Sequence, residues 1–208
     1  VSDFLRVGGL ARLSTCDWPG QLVATVFCQG CPWRCAYCHN PHLWPAGTPA
    51  LVSWDEVLAF LDTRRGLLDG VVFSGGEALW QPGLPEAMAA VRALGFRVGL
   101  HTGGAFPRRL AAVLPLLDWI GFDVKAPFAA YDALTRMPGS GARARESLRQ
   151  VLAAGVPVDV RTTVHPALLD EAGLRALDAD LAALGAPPIR HQPFRPAGCA
   201  DPVLVGRG

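Results

Sequence analysis

The chain has 208 residues, half of them apolar and 18% charged, which is enough to bury a full core in one domain and excludes a disordered or collagen-like chain. Nineteen basic against eighteen acidic residues give a formal charge of +1, excluding the basic field that nonspecific nucleic-acid or membrane-surface binding requires. The apolar run Leu110 to Leu117 is broken by Pro115 and falls short of the ~20 residues of a bilayer span, and Val1 to Leu13 carries Asp3, Arg6 and Arg12 but no apolar signal-peptide core. The expectation is a soluble, cytoplasmic protein without nucleic-acid or membrane partners.

In chain order, the β-branched run Leu22 to Cys28 predicts a first strand, followed by a cysteine-rich loop from Gln29 to Asn40. Ser53-Trp54-Asp55-Glu56 matches a capping box, and Val57, Leu58 and Leu61 continue at helical spacing up to a stop at Gly66. Further strands are predicted at Val71 to Ser74, Arg97 to His101, Trp119 to Lys125, Val158 to Val164 and Ile189 to Phe194. Between them, helices are predicted at Leu84 to Ala93, Arg108 to Leu117, Arg143 to Ala154 and Glu171 to Leu184. Alternation repeated about six times implies parallel strands with right-handed crossovers. A complete eight-unit barrel takes about 250 residues, so the expected architecture is α/β, a partial (β/α)6 TIM-like barrel, with a doubly wound open sheet as the competitor. No linker divides the chain, and one domain over 1–208 is expected, with a cluster loop at 29–40 and a C-terminal tail from about 197.

Functional groups of parallel α/β folds sit beyond the C-terminal ends of the strands. There the predicted strands deliver, in turn, Cys31, Cys35 and Cys38; Ser74, Gly75, Gly76 and Glu77; His101 and Thr102; Asp123 and Lys125; Arg161, Thr163 and His165; and Arg195. Lys125 is the single lysine beside eighteen arginines, which argues by composition that a compact ammonium is required there. Six cysteines are present, and four fall within the eleven residues from Cys28 to Cys38. Such crowding in a chain of this size reads as a metal site rather than a disulfide framework. Cys31, Cys35 and Cys38 form a C-x-x-x-C-x-x-C run, three thiolates on one loop. An iron–sulfur cubane normally takes four, so three would leave one iron open to an exogenous ligand. The alternative is a closed zinc site built from the C-x-x-C halves Cys28/Cys31 and Cys35/Cys38. Its spacing is far shorter than the about 15–20 residues that separate such pairs, and Cys28 should still lie in the first strand.

The C-x-x-x-C-x-x-C loop after a first strand resembles the radical S-adenosylmethionine (SAM) enzymes. Gly30 to Pro41, with Asp17-Trp18-Pro19-Gly20 upstream, resembles the glycyl-radical-enzyme activases, in particular the anaerobic ribonucleoside-triphosphate reductase activating proteins. Val72 to Glu77 resembles their G-G-E-P stretch, Asp123-Val124-Lys125 their D-[IL]-K motif, Arg161-Thr162-Thr163-Val164 their fifth-strand signature, and Gln192 to Pro196 the closing strand. The resemblance covers about residues 10 to 202.

What the resemblance implies is a [4Fe–4S] cluster on Cys31, Cys35 and Cys38, SAM on the open iron, and reductive cleavage to a radical that takes hydrogen from a glycine of a partner enzyme. The partner would be anaerobic ribonucleotide reductase or, alternatively, pyruvate formate-lyase or another glycyl-radical enzyme, with flavodoxin or ferredoxin as electron donor. A non-catalytic zinc-binding module is the reading from another class. Gly75 and Gly76 would let backbone approach SAM, Glu77 would secure the loop or accept from the ammonium, and Lys125 would meet the carboxylate. Tyr37, Thr102, Asp123, Arg161 and Arg195 complete the cofactor-binding set, with a ribose contact or an ion pair to Lys125 as the two roles of Asp123. No catalytic side chain is expected beyond the cluster and SAM. His39 and Asn40 lie beside the cluster; Phe194 is expected to line the adenine site or the core; Cys16 and Cys199 are expected as small buried hydrophobes. Besides Gly103-Gly104, which replaces the usual Asn-Gly, two positions depart from the family pattern. Ala78 replaces the motif proline, and His101 stands where many such activases carry Asp.

Overall fold

The structure, a computed structural model, describes residues 4–206, so Asp3 and the last two residues of the tail lie outside it. Seven strands form one sheet in sequence order: β1 (Val7–Ser14), β2 (Val23–Cys28), β3 (Gly70–Gly75), β4 (Arg97–Thr102), β5 (Trp119–Asp123), β6 (Val158–Val164) and β7 (Arg190–Pro193). β2 through β7 are parallel, and β1 runs antiparallel to β2. A doubly wound sheet reverses its strand order at a switch point. Here the order never reverses, so right-handed crossovers place the connecting helices on one side and the sheet curls into a partial barrel with β1 and β7 as its edges.

The helices are α1 (Trp54–Asp62), α2 (Leu84–Ala93), α3 (Pro107–Val113), α4 (Tyr131–Thr135), α5 (Ser140–Ala154), α6 (Glu171–Ala183) and α7 (Pro202–Val205). α1 starts as its sequence predicts, with the Ser53 hydroxyl accepting from the Glu56 N–H while Glu56 reaches back to the Ser53 backbone N–H. Several boundaries differ from expectation. The β5 strand ends at Asp123 rather than Lys125: the Val124 N–H still donates to the Arg161 carbonyl on β6 at 2.9 Å, but the Lys125 N–H turns away and donates to the Tyr131 hydroxyl at 2.8 Å. The helix expected through Leu117 ends at Val113, and Pro115 sits in a single 3-10 turn, Leu114–Leu116, as its missing N–H dictates. β1, α4 and α7 carry no signal in the sequence reading.

Two apolar layers follow from the register. Side chains of Ala24, Val26, Cys28, Val71, Phe73, Val98, Leu100, Ile120 and Phe122 face the helices and form the main core. The alternate residues face the barrel interior, where Trp18, Val23, Val72 and Trp119 form a separate buried cluster. Trp18 arrives from the segment before β2 and stacks on Trp119, with ring centroids 5.3 Å apart and an interplanar angle of 16°. Asp17-Trp18-Pro19-Gly20 is therefore a closing plug. Pro19 and the positive-φ Gly20 turn the chain, the Gln21 N–H donates to the Trp18 carbonyl at 3.1 Å, and the Asp17 carboxylate accepts from Thr25 Oγ1 at 2.7 Å. Room for the indole comes from Gly70 and Gly99, where an added Cβ would lie 3.2 and 2.9 Å from the Trp18 ring.

Two substitutions test the plug. Trp18→Ala should cost about 3–5 kcal/mol of unfolding free energy, the range for truncating a buried large aromatic. Gly99→Ala should be costly in the native background but much cheaper in Trp18→Ala, because both changes address one contact. Additive losses in a urea-unfolding double-mutant cycle would contradict the packing described here.

Candidate active site at the mouth of the barrel

Above the tryptophan plug, a cavity of about 630 Å³ opens at the C-terminal ends of the strands, within the usual size for a small-molecule site. Its lining includes Cys31, Cys35, Cys38, Tyr37, Gly75, Gly76, Glu77, Thr102, Asp123, Lys125, Arg161 and Arg195, so every residue expected in the metal and cofactor sets borders one space. Thr163 and His101 also line it. His165 does not: it is buried, its Nδ1 accepts from the Ala167 N–H at 3.1 Å, and its ring packs edge-on against Phe194.

The cysteine loop is held by its own backbone. Gly30 N–H donates to the Leu43 carbonyl at 2.8 Å, Arg34 N–H to the Thr135 carbonyl at 2.8 Å, and Cys38 N–H to the Cys35 carbonyl at 3.1 Å. At its base the loop presses on the turn after β3: Gly76 N–H donates to Cys28 O at 3.0 Å and Glu77 N–H to Gly30 O at 2.9 Å. A Cβ on Gly75 would lie 2.3 Å from Cys28 N, and one on Gly76 would lie 2.5 Å from Gly30 O. The glycine pair is thus required by the protein's own chain crossing, besides baring backbone to the cavity. Trp33 drives its ring against Gly103, where a Cβ would lie 2.3 Å away, and packs edge-on to Tyr131. Behind the loop, His39 Nε2–H donates to the Arg195 carbonyl at 2.7 Å and its ring stacks on Phe194, which puts Phe194 against the loop.

Glu77 is a buried hub. Its Oε1 accepts from Thr102 Oγ1 at 2.8 Å and Leu79 N–H at 3.3 Å, and its Oε2 accepts from Gly103 N–H at 3.1 Å. Burial pushes its pKa up, and these donors offset only part of that rise. Thr102 consequently spends its hydroxyl on Glu77, holding the β4 loop to the β3 loop. Ala78 starts a buried 3-10 turn that needs no proline, since the Glu77 side chain already caps it.

Across the cavity, Asp123 pairs with two cations. Arg161 Nε lies 2.6 Å from Oδ1 and Lys125 Nζ lies 3.6 Å from Oδ2. Burial alone would raise the Asp123 pKa, but the guanidinium and the ammonium outweigh it and hold the carboxylate below its usual range. Burial would likewise lower Lys125, yet Asp123 reverses the sign and keeps the ammonium charged. With its side chain 20% exposed and its Nζ 5.9 Å from the Tyr37 ring centroid, Lys125 is part of the cavity wall rather than a solvated surface lysine.

His101 lies beneath this group with both nitrogens engaged. Nε2 is 2.7 Å from the Asp17 carbonyl and must carry the proton, so Nδ1 accepts from Ser74 Oγ at 3.3 Å. Burial, reinforced by repulsion from Arg161, lowers its pKa to about 4. The imidazole that replaces the expected carboxylate is therefore a neutral strut tying the plug segment to β3 and β4. Gly121 makes space for it, since a Cβ there would lie 2.8 Å from the His101 ring and 3.2 Å from the Arg161 guanidinium carbon.

These residues suit a cluster with a bound organic cofactor better than a single metal ion. Among the described residues no three His, Cys, Asp or Glu side chains converge on one ion position, whereas three cysteines that each bond a different iron need not share a centre. Cys28 is fully buried in the core between sheet and helices, which takes it out of the zinc alternative. Burial pushes Cys31 up to about 12 and Cys35 up to about 11, so both are thiols until a metal centre displaces their protons. The Tyr37 hydroxyl is buried and has no partner among the described residues, a donor and acceptor left for a polar occupant. Trp44, Arg190, His191 and Gln192 also line the cavity but were missed as site residues; only Gln192 falls in a stretch that resembles a family motif, and the register of β7 and the fold of the loop turn them inward. Cys16 lines the cavity too, but it is exposed, not buried as expected.

A sequence model of the Radical SAM superfamily matches residues 25–178. A Methanocaldococcus jannaschii protein provisionally described as a glycyl-radical enzyme activating enzyme is 28% identical over 94% of this chain and 82% of its own length. The pyruvate formate-lyase-activating enzyme of Clostridium pasteurianum is 30% identical over 79% of this chain and 71% of its own. Among solved structures, anSMEcpe with bound AdoMet is similar in fold, with a TM-score of 0.63 at 12% identity, covering 80% of this chain and 49% of that one.

The His101 strut makes a pH prediction. Its folded pKa lies below the unfolded value of 6.5, so between pH 6.5 and about 4 the unfolded chain binds the extra proton and stability falls as pH falls. At about 1.4 kcal/mol per unit of pKa difference, the loss amounts to a few kcal/mol. His101→Gln should flatten that part of the curve in urea titrations of the apoprotein at pH 7.5 and 4.5. Glu77, with its raised pKa, contributes with the opposite sign in both proteins and cancels in the difference.

Proposed function

Since the chain belongs to the radical SAM superfamily, an enzyme superfamily that uses a [4Fe–4S] cluster and SAM, we propose that it is an activase that installs a glycyl radical on a partner enzyme. The observation that carries this reading is the single cavity in which Cys31, Cys35 and Cys38 face Glu77 on one side and the Asp123–Lys125–Arg161 group on the other. Cys31, Cys35 and Cys38 would hold the cluster. When bound, cluster and SAM supply one-electron cleavage of a sulfonium and hydrogen abstraction from carbon.

The remaining steps belong to the chain. Lys125 offers a compact ammonium to the cofactor carboxylate, Gly75 and Gly76 offer backbone, and Glu77 fixes Thr102 and Gly103 so that the rim is set before anything binds. Asp123 and Arg161 hold each other in place and keep Lys125 charged, and Arg195 and Tyr37 face the remaining polar groups of the cofactor. The chain acts as one radical SAM domain, and the open side between β7 and β1 admits a polypeptide loop.

For the partner we propose anaerobic ribonucleoside-triphosphate reductase, supported by the resemblance of residues 30–41 and the upstream Asp17–Gly20 segment to its activating proteins. A second reading, pyruvate formate-lyase, is favoured by the relatives that carry that activase name. The discriminating experiment mixes reconstituted protein, SAM and a reductant with each candidate partner and looks for the EPR doublet of a glycyl radical. A doublet on the reductase alone supports the first reading, and one on the lyase alone supports the second.

Two variants test the site. Cys35→Ala should lose the iron and sulfide of the reconstituted protein, about four of each per chain for a cubane, and the EPR signal of the reduced form. Lys125→Ala should keep the iron but bind SAM at least about tenfold more weakly, ~1.4 kcal/mol. Unchanged affinity would remove Lys125 from the cofactor site.

A further inference from the structure

The cysteine loop separates two cavities. On the barrel side lies the one described above; on the outer side lies a second of about 260 Å³, and Cys35 and Cys38 line both. Its other walls come from Arg34, Trp44, Arg136 and the segment Ala200–Pro202 that precedes and starts α7. A cofactor and a polypeptide loop in the barrel cavity would block the inner approach to the cysteines. The outer cavity leaves a second approach to the same two thiols.

The charge at this outer mouth has one sign to spare. Neither Arg34 nor Arg136 is in an ion pair among the described residues. Arg34 is fixed, its Nη1 donating to the carbonyls of Cys31 at 2.7 Å and Trp33 at 2.9 Å while the guanidinium lies over the Trp44 ring. Asp201, the one carboxylate in the lining, is already accepting from the Val203 N–H at 3.0 Å as the cap of α7. Arg136 is exposed and is the single non-glycine residue with positive φ among those described, at 55°. That conformation costs energy in an arginine and persists where its surroundings impose it. The residue before it, Thr135, accepts the Arg34 N–H with its carbonyl, so the same turn that anchors the cysteine loop sets the Arg136 guanidinium at the mouth.

We infer that the outer cavity is the docking surface of an acidic one-electron carrier protein, with Arg136 and Arg34 meeting its carboxylates and Cys35 and Cys38 as the nearest groups of the centre it reduces. The inference rests on the proposed radical SAM function. The step is one electron from the reduced carrier, oxidised by one unit, to the centre held by Cys31, Cys35 and Cys38, reduced by one unit. No bond forms or breaks and no proton moves. Exposed charges at such a rim act on encounter, so they set association rate and salt dependence.

The test uses reconstituted protein and, as probe, a photoreduced plant-type [2Fe–2S] ferredoxin, with dithionite as a small reductant that needs no docking. Arg136→Glu should lower ferredoxin binding and the ferredoxin-driven reduction rate by about tenfold at low salt and flatten their salt dependence. Iron content and the dithionite-driven rate should be unchanged. Arg136→Gly, which removes the charge together with the backbone strain, should show a smaller loss of the same kind, and Arg175→Glu on α6 should show none. Equal ferredoxin rates for the native protein and Arg136→Glu, or a rate insensitive to salt, would overturn the docking surface while leaving the function standing. Absence of a reduced-cluster signal with dithionite would instead overturn the function on which the inference rests.

Discussion

Everything at the barrel mouth depends on one crossing of backbone, where Cys28 to Gly30 meets Gly75 and Gly76 at distances that exclude any Cβ. Two hydrogen bonds, Gly76 N–H to Cys28 O and Glu77 N–H to Gly30 O, lock the crossing. Because β2 and β3 are adjacent and parallel, their exits would otherwise run side by side and leave independent loops. The crossing makes them one body. It fixes the base of the cysteine loop and the position of Glu77 together, and Glu77 then carries the constraint to Thr102 and Gly103 at the end of β4. A buried carboxylate with a raised pKa is an expensive way to join two loops. Its donors come from its own loop, through Leu79, and from the end of β4, through Thr102 and Gly103, so it restrains both at once.

The barrel interior shows the same trade in reverse. Gly70, Gly99 and Gly121 sit on the inner face of three neighbouring strands and contribute no side chain. The space they leave is taken by groups from other elements: Trp18 from the segment before β2, and His101 and Arg161 from β4 and β6. An interior built only from its own strands would be filled by branched side chains layer upon layer. Here the lower layer is an aromatic stack and the upper one a charged group, with the His101 ring, edge-on to Trp119, between them. Polar chemistry is therefore carried on an apolar floor.

How much of this was legible follows from which residues announce themselves. The six parallel strands and the principal helices stood out because apolar runs, a capping box and glycine stops bound them, and the order of chemistry-bearing loop residues already placed them at one end of a barrel. β1 was illegible: Gly8 and Gly9 dilute its apolar pattern, it pairs along one side only apart from a single bridge from Val7 to Val52, and its register shifts twice. β2 was legible as a strand, but since Val23 to Cys28 is buried on both faces, nothing in its pattern says that Thr25 faces inward and Cys28 outward. The same limit hid Gln192 and Arg190, whose place in the cavity is set by the phase of β7. It also hid the function of His101. The sequence shows that an acid is missing there, whereas the pairing with Asp17 and Ser74, residues 84 and 27 positions away, shows what replaced it.

The charged group at the top of the barrel explains why the single lysine belongs where it is. Two cations share one carboxylate, so the group carries an excess positive charge, which a neutral His101 beneath it does not increase. Arg161 takes the near position, 2.6 Å from Asp123, and its guanidinium carbon lies 3.2 Å from where a Cβ on Gly121 would stand. A second fork of that kind would compete for the same two carboxylate oxygens. An ammonium does not: at 3.6 Å from Oδ2, Lys125 is close enough for Asp123 to keep it charged and far enough to leave donors directed at the cavity. The two cations thus differ in commitment: Arg161 is held against Asp123, whereas Lys125, kept charged by the same carboxylate, lines the cavity.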